Sequence, residues 1–296
     1  MNTFISHGYQ TCENFFDEDQ CKLLLNNVLK TRDFTNLFLS EKEFKKNEED
    51  HRGVNPRPGR NLLEKLDTSF IFLNEDFNLE MTKALGDRWR VLDYKLVMGF
   101  PKKYIPKWLS AELKDRLVSN LGAYVRPEYR DITYFQGIDF HQDIIQFPDR
   151  ESDIITAYIY LDKVDENSSP LHLLSHSHKL GTSVFPHNLK EIERNKYLYK
   201  NDFNDQQNCD LIKLMGEGGT LYYWHCNTLH GTQPQIDDKP RVSVRILIEK
   251  NSKTKSDCLV DGANKISKGS LALSITRRDL DSTSKAVIFG NKINTI

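Results

Sequence analysis

The clearest hydrophobic pattern in the chain is a strict alternation over residues 241–249, RVSVRILIE. Successive side chains of a β-strand point to opposite faces, so this pattern predicts a strand with one apolar face. The apolar face carries Val242, Val244, Ile246 and Ile248, and the other carries Arg241, Ser243, Arg245 and Leu247. We therefore expect a strand that packs on the core with one face and presents two arginines on the other.

Further runs rich in Tyr, Ile, Val and Thr, bounded by Pro, Gly, Asn or Asp, are typical of short strands. They are NLGAYV (120–125), DITYFQ (131–136), DIITAYIYLD (153–162), SPLHLLSHS (169–177) and GTLYYWHC (219–226). Regular helices do not separate them, so they predict a mainly β core with flanking helices, a jelly roll or barrel, over about residues 118–250. The polar stretch at 187–200 is predicted to be a partly helical insertion.

Residues 1–117 follow a mostly helical pattern instead. Asp17 is a favourable N-cap for the helix that follows it, and a second helix is predicted over 108–118. The apolar residues at helical spacing are Cys21, Leu24, Leu25 and Val28 in the first segment and Leu109, Leu113 and Leu117 in the second. We predict one domain over 1–296: this helix-rich part, the β core, and a C-terminal extension at 251–296.

Composition excludes several classes of protein. The 296 residues include 41 basic and 42 acidic ones, a net charge of −1, so no overall charge favours nucleic acid. No run approaches the roughly 18 apolar residues of a membrane span, and the N-terminus lacks the pattern of a signal peptide. Five scattered cysteines without a CxxC argue against a disulfide scaffold and fit a reducing cytoplasm.

Candidate chemistry begins in FHQDIIQFP, residues 140–148. On an extended backbone, His141 and Asp143 would share a face and Gln142 would point away. A third ligand from a distant strand could be His225 or His230, and we favour His230 because Gly231 beside it allows close approach of small ligands. Two histidines and one carboxylate with open positions are typical of non-haem Fe(II) oxygenases.

A possible carboxylate-binding residue follows the second histidine. Arg241 lies eleven residues after His230, and a guanidinium can hold a carboxylate through two parallel hydrogen bonds. Thr232 adds a hydroxyl donor.

Together these motifs resemble the phytanoyl-CoA dioxygenase family of Fe(II)/2-oxoglutarate oxygenases. The resemblance covers Asn120 to Glu249, with HQD (141–143), PLHLLSHSHKLG (170–181) and HGT followed by an arginine after ten intervening residues (230–241). One departure is SHSH (175–178), where the family usually has PGSH.

The resemblance implies a double-stranded β-helix fold and a set of site residues. His141, Asp143 and His230 would hold Fe(II), while Arg241 and Thr232 would bind the distal carboxylate of 2-oxoglutarate. Asn120 would lie near the cosubstrate. The aromatic lining of its pocket would fall on Tyr158 or Tyr160.

The implied activity uses Fe(II), 2-oxoglutarate and O2 to oxidise an unactivated C–H bond of a small molecule. Hydroxylation is the default outcome, and desaturation or oxidative ring closure is the alternative at the same site. An anionic substrate is suggested by cations in the helix-rich part and just after it: Arg57, Arg60, Lys102, Lys103 and Arg126. The oligomeric state is open.

Three other hypotheses remain. A non-catalytic jelly roll could bind a ligand with a vestigial site, or a cupin-like barrel could use zinc or manganese. A second histidine cluster, His172, His176 and His178, could bind zinc but lacks a cysteine or acid at ligand spacing.

Overall fold

A computed structural model of the chain describes residues 2–46, 55–114, 116–147, 150–251, 257–268 and 276–280. The strands are β1 (Tyr9–Cys12), β2 (Trp89–Gly99), β3 (Val118–Asn120), β4 (Thr133–His141), β5 (Ile154–Tyr160), β6 (Leu171–Leu174), β7 (Asn188–Glu193), β8 (Lys196–Lys200), β9 (Gln206–Leu214), β10 (Leu221–His225), β11 (His230–Thr232) and β12 (Arg241–Lys250). The α-helices are α1 (Thr3–His7), α2 (Glu18–Lys30), α3 (Glu41–Lys46), α4 (Ser69–Phe72), α5 (Glu75–Leu85), α6 (Lys107–Glu112) and α7 (Leu259–Ile266). The predicted C-terminal extension lies partly outside the described residues.

The strands follow the order β1-β10-β5-β12-β2-β4-β11-β6-β9-β8-β7, with β3 added beside β4. Strands far apart in sequence are therefore neighbours, and the β2–β4 pair is parallel. Side chains from β2, β5, β10 and β12 line the same pocket as side chains from β4, β6 and β11, so the strands wrap around one interior. This arrangement confirms the predicted jelly-roll core.

Strand β12 lies between β2 and β5 in the sheet. Its four apolar residues, Val242, Val244, Ile246 and Ile248, belong to the main core cluster together with residues of α2 and α5. Burying each such side chain stabilises the fold by about 1.5–3 kcal/mol. The predicted alternation is confirmed, and the opposite face of β12 points into the pocket.

The predicted first helix is also confirmed. It begins after Asp17, whose side chain accepts a hydrogen bond from the backbone N–H of Gln20 at 2.8 Å. Its apolar positions, Cys21, Leu24, Leu25 and Val28, are buried. The second predicted helix is shorter than expected: α6 ends at Glu112. Leu113 and Leu117 are buried as predicted, but they lie beyond the end of the helix.

The prediction of a mostly helical front part missed a long strand. β2 runs for 11 residues and pairs along its length with β12. Its pocket face carries Lys95, a charged residue that obscures the apolar periodicity, while Leu96 and Met98 face the core. Pairing with β12, rather than local pattern, explains this strand.

The prediction of a partly helical insertion at 187–200 was wrong. The segment forms the β7–β8 hairpin, and β8 continues the sheet by pairing with β9. Asn195 occupies the turn with φ of 63°, a conformation that asparagine tolerates well. Tyr197 and Tyr199 share one buried face of β8, so a period of two prevails over the helix propensity of the polar residues.

Other predictions have mixed outcomes. Within NLGAYV only Asn120 lies in a strand, since Gly122–Tyr124 forms a 3-10 turn. All five cysteines are free thiols, as expected. Among the described residues, no helix is long and apolar enough to cross a membrane.

Candidate metal and cosubstrate site

Two histidines meet where β4 and β11 pair. His141 and His230 are register partners, and their ring centroids lie 4.3 Å apart. Gln142 stays extended, and Asp143 then opens a 3-10 turn that returns its carboxylate to the histidines. Asp143 Oδ2 lies 3.4 Å from His230 Nε2.

The three side chains offer ligand atoms that all lie within 4.8 Å of one another. Across the described ranges, no other group of three or more His, Cys, Asp or Glu converges in this way. The donor set, two imidazoles and one carboxylate, fits Fe(II) and leaves coordination positions free.

Both histidines are oriented by their own backbone. His141 Nδ1 lies 3.1 Å from the carbonyl oxygen of Asp139, and His230 Nδ1 lies 3.0 Å from that of Thr228. A carbonyl can only accept, so each Nδ1 must donate, and each Nε2 keeps its lone pair for a metal.

The histidines are also neutral in this environment. Burial and the neighbouring His230 lower the pKa of His141 to about 3. Burial likewise lowers the pKa of His230, although Asp143 opposes the shift. A proton therefore does not compete with a metal for either ring near neutral pH.

Asp143 is held by side chains from three strands. Arg245 Nη2 on β12 donates to Oδ1 at 2.6 Å, Thr156 Oγ1 on β5 donates to Oδ2 at 2.5 Å, and Trp224 Nε1 on β10 donates to Oδ2 at 3.2 Å. Sequence reasoning missed all three contacts. The only signal was the alternation that placed Arg245 on the same face as Arg241.

These contacts keep the carboxylate ionised. Burial alone would raise the pKa of Asp143, which is only 1% exposed. The positive charge of Arg245 is the largest effect opposing burial, and the pKa of Asp143 is held below its usual range.

Gln142 points away from the metal ligands, as the alternation predicted. Its amide nitrogen donates to the carbonyls of Gly181 and Asn227 at 2.8 Å each, and its oxygen accepts from Ser183 N at 2.9 Å. The residue between the two ligands therefore anchors the motif to neighbouring loops.

One end of the pocket is suited to a carboxylate. Arg241 donates from Nη1 to the carbonyl of Ser169 and from Nη2 to Tyr158 Oη at 3.4 Å. Its Nε is buried without a hydrogen-bond partner in the described part of the chain. Thr232 also lines this end, with its hydroxyl 2.6 Å from Ser169 Oγ. An unpaired buried donor beside a hydroxyl fits the distal carboxylate of 2-oxoglutarate.

The two candidate tyrosines have different positions. Tyr158 lines the pocket, whereas Tyr160 donates its hydroxyl to the carbonyl of Leu214 at 2.8 Å and accepts from Leu171 N at 3.1 Å. Asn120 also lines the pocket, and its Oδ1 accepts from Gly122 N at 2.9 Å.

The remaining histidines lie elsewhere. His225 is buried on the far side of β10, where its Nε2 lies 3.1 Å from Asn264 Oδ1. His176 and His178 contact the backbone carbonyls of Ser6 and Ile5. His172 is buried with no partner for either ring nitrogen in the described ranges. The suggested second cluster therefore does not converge on one point.

The pocket has a cavity volume of about 290 Å3, and its cations are not those singled out in the sequence. Arg126 pairs with Glu43 and Lys103 pairs with Asp238 on the surface. None of the five cations suggested earlier, all in the described part of the chain, lines this pocket. Its cationic lining residues are Lys95, Arg241, Arg245 and Arg277.

Fold and site together define a jelly-roll protein with a His-Asp-His centre and a buried arginine, Arg241, in the same pocket. The family model of phytanoyl-CoA dioxygenase (PhyH) matches residues 4–243. The chain therefore belongs to the phytanoyl-CoA dioxygenase family, and it is an Fe(II)- and 2-oxoglutarate-dependent oxygenase, an oxidoreductase that uses O2.

Solved structures with similar folds share little sequence with the chain. The epimerase SnoN in complex with Fe3+, alpha ketoglutarate and nogalamycin RO is 14% identical at a TM-score of 0.49, covering 83% of this chain and 80% of that one. EctD from S. alaskensis with bound Fe is 10% identical at 0.46, covering 87% and 78%. AviO1 from Streptomyces viridochromogenes is 13% identical at 0.47, covering 86% and 95%. No curated protein matched the sequence.

Proposed function

We propose that the protein hydroxylates an unactivated C–H bond of a small anionic metabolite. His141, Asp143 and His230 would hold the iron, and Arg241 and Thr232 would hold the distal carboxylate of 2-oxoglutarate. The observation that carries the proposal is the convergence of three ligand atoms within 4.8 Å, next to a buried arginine with an unpaired Nε.

Fe(II) in this donor set, together with 2-oxoglutarate and O2, supplies an oxidant able to remove hydrogen from an unactivated C–H bond. The chain prepares the ligands for that metal. His141 and His230 donate their Nδ1 protons to carbonyls and keep Nε2 free, and Asp143 stays ionised because Arg245 faces it at 2.6 Å. Its negative charge partly offsets that of the metal.

Arg241 and Thr232 position the cosubstrate. Hydrogen bonds to a charged group contribute about 1.5–3 kcal/mol each, so a guanidinium and a hydroxyl can orient one carboxylate firmly. Tyr158 braces Arg241 through its hydroxyl. Asn120, which also lines the pocket, is proposed to contact the cosubstrate.

The substrate end of the pocket carries surplus positive charge. Beyond Arg241, the lining includes Lys95, Arg245 and Arg277, whereas Asp143 is the only carboxylate among the described lining residues. Apolar residues such as Phe135 and Phe185 complete the wall and help to exclude water. The lining thus has four cationic side chains against one carboxylate, and this excess in a confined pocket favours an anionic substrate.

The test is succinate formation and O2 consumption by the purified protein with Fe(II) and 2-oxoglutarate, even without a substrate. We expect slow uncoupled turnover that disappears in Asp143→Ala. A non-catalytic binding protein would form no succinate. A zinc or manganese enzyme would contain that metal after anaerobic purification and would not regain activity with Fe(II).

A further inference from the structure

Lys95 occupies a defined level in the pocket wall. In the β2–β12 pairing, Lys95 lies opposite Arg245, whereas Arg241 lies opposite Gly99. Four residues of extended strand separate these levels by about 13 Å. Lys95 therefore stands at the level of the proposed metal ligand Asp143, which Arg245 contacts, and away from the carboxylate-binding end.

The other cations of the pocket already have partners. Arg245 pairs with Asp143 at 2.6 Å, and Arg277 holds Asp279 through two hydrogen bonds of 2.9 and 2.5 Å. Arg241 would receive 2-oxoglutarate under the proposed function.

Lys95 is different. Its nearest recorded carboxylate among the described residues is Asp93 Oδ2 at 3.6 Å, beyond normal hydrogen-bond distance. The Lys95 side chain is 9% exposed and that of Asp93 is 41% exposed, so a solvated acid faces a buried ammonium group.

This position is unfavourable for a lysine that has only a structural role. Burial and the like charge of Arg245 lower the pKa of Lys95 to about 8, against the opposing effects of Asp93 and Asp143. A methionine of similar length would fill the same space without that penalty. A ligand anion at Lys95 would supply a closer partner than Asp93, whose carboxylate lies 3.6 Å away.

We propose that Lys95 binds an anionic group of the substrate, a carboxylate or a phosphate, and thereby determines which C–H bond is presented to the metal. A lysine ammonium acts as a compact point charge with three donors, which suits one oxyanion at one end of a small molecule. This assignment rests on the proposed function, because it assumes that the pocket holds substrate beside the metal.

The experiment is calorimetric titration of the Fe(II)-loaded full chain under anaerobic conditions with saturating 2-oxoglutarate, which occupies the Arg241 end. The probes are benzoate, phenyl phosphate and the neutral benzamide. We expect wild type to bind at least one anion more tightly than benzamide, and Lys95→Met to weaken that anion at least tenfold while benzamide is unchanged. The two anions distinguish a carboxylate from a phosphate.

Lys102→Met is the matched control, because Lys102 is exposed and lies outside the pocket, and it should leave all three affinities unchanged. The unfolding midpoint of Lys95→Met should equal or exceed that of wild type. The assignment would be overturned if Lys95→Met and wild type bound the anions equally well, or if wild type bound no anion. A lower unfolding midpoint in Lys95→Met than in wild type would also overturn it. Succinate formation tests the oxygenase separately, so either result can fail while the other stands.

Discussion

His141 and His230 face each other as register partners of β4 and β11, and each directs Nδ1 at the carbonyl two residues before it. The same local geometry therefore occurs twice, and it leaves the Nε2 atoms of both histidines available to bind a metal. Asp143 completes the set because the chain turns immediately after Gln142.

The first prediction concerns the carboxylate. Asp143→Ala should lower Fe(II) affinity by at least about 100-fold, more than the roughly 10–100-fold typical of groups that only orient a ligand. Iron content after anaerobic loading and succinate formation measure this. Arg245 loses its buried partner, which typically destabilises a fold by about 3–5 kcal/mol. Circular dichroism should therefore show a folded protein with a lower unfolding midpoint, and near-normal turnover would contradict the assignment.

The second prediction separates two histidines of the same segment. His230→Ala should abolish iron-dependent turnover because it removes a ligand. His225→Ala should retain iron and turnover where it folds, since His225 bonds Asn264 away from the pocket. Its expected effect is on stability, about 1–3 kcal/mol for an unpaired buried group. If iron binding depended on His225 and not on His230, the assignment of His230 as the second histidine ligand would be wrong.

The third prediction compares two arginines on one face of β12. Arg241→Lys should raise the apparent 2-oxoglutarate requirement at least tenfold, about 1.4 kcal/mol, because an ammonium cannot reproduce the guanidinium geometry. Arg245→Lys should change it little and instead weaken Fe(II) binding, since Arg245 contacts Asp143. Titrations of 2-oxoglutarate at fixed iron, and of iron at fixed 2-oxoglutarate, show which variant has the larger effect on each ligand. If Arg245→Lys raised the 2-oxoglutarate requirement more than Arg241→Lys, the cosubstrate would be assigned to Arg245 instead.

The fourth prediction tests a contact found only in the structure. Thr156→Val keeps the shape of the side chain and removes the hydroxyl that donates to Asp143 Oδ2 at 2.5 Å. Fe(II) affinity should fall by about 10-fold, the lower end for groups that orient a ligand. The 2-oxoglutarate requirement should not change, because Thr156 does not line the Arg241 end. A Thr156→Ser variant should restore iron affinity, and its failure to do so would point to packing instead of the hydrogen bond.

The sequence alone determined the features that are local along the chain. The period of two in β12 placed Arg241 and Arg245 on the face opposite the core, and the spacing in HQD placed Gln142 away from His141 and Asp143. The motif order from His141 to Arg241 indicated the family and the proposed ligands. The first two follow from side-chain direction over a few residues, and the third follows from the order and spacing of short motifs, so none of them requires knowledge of which strands pair.

Only the tertiary structure decided which distant residues meet. The β7–β8 hairpin and strand β2 were missed because pairing with β9 and β12, rather than local propensity, makes those segments extended. The same pairings bring Arg245 and Thr156 to Asp143 and set Lys95 opposite Arg245. The register between β2 and β12 joins residues more than 140 positions apart, such as Lys95 and Arg245, and nothing in the local pattern encodes which charges will then share one buried pocket.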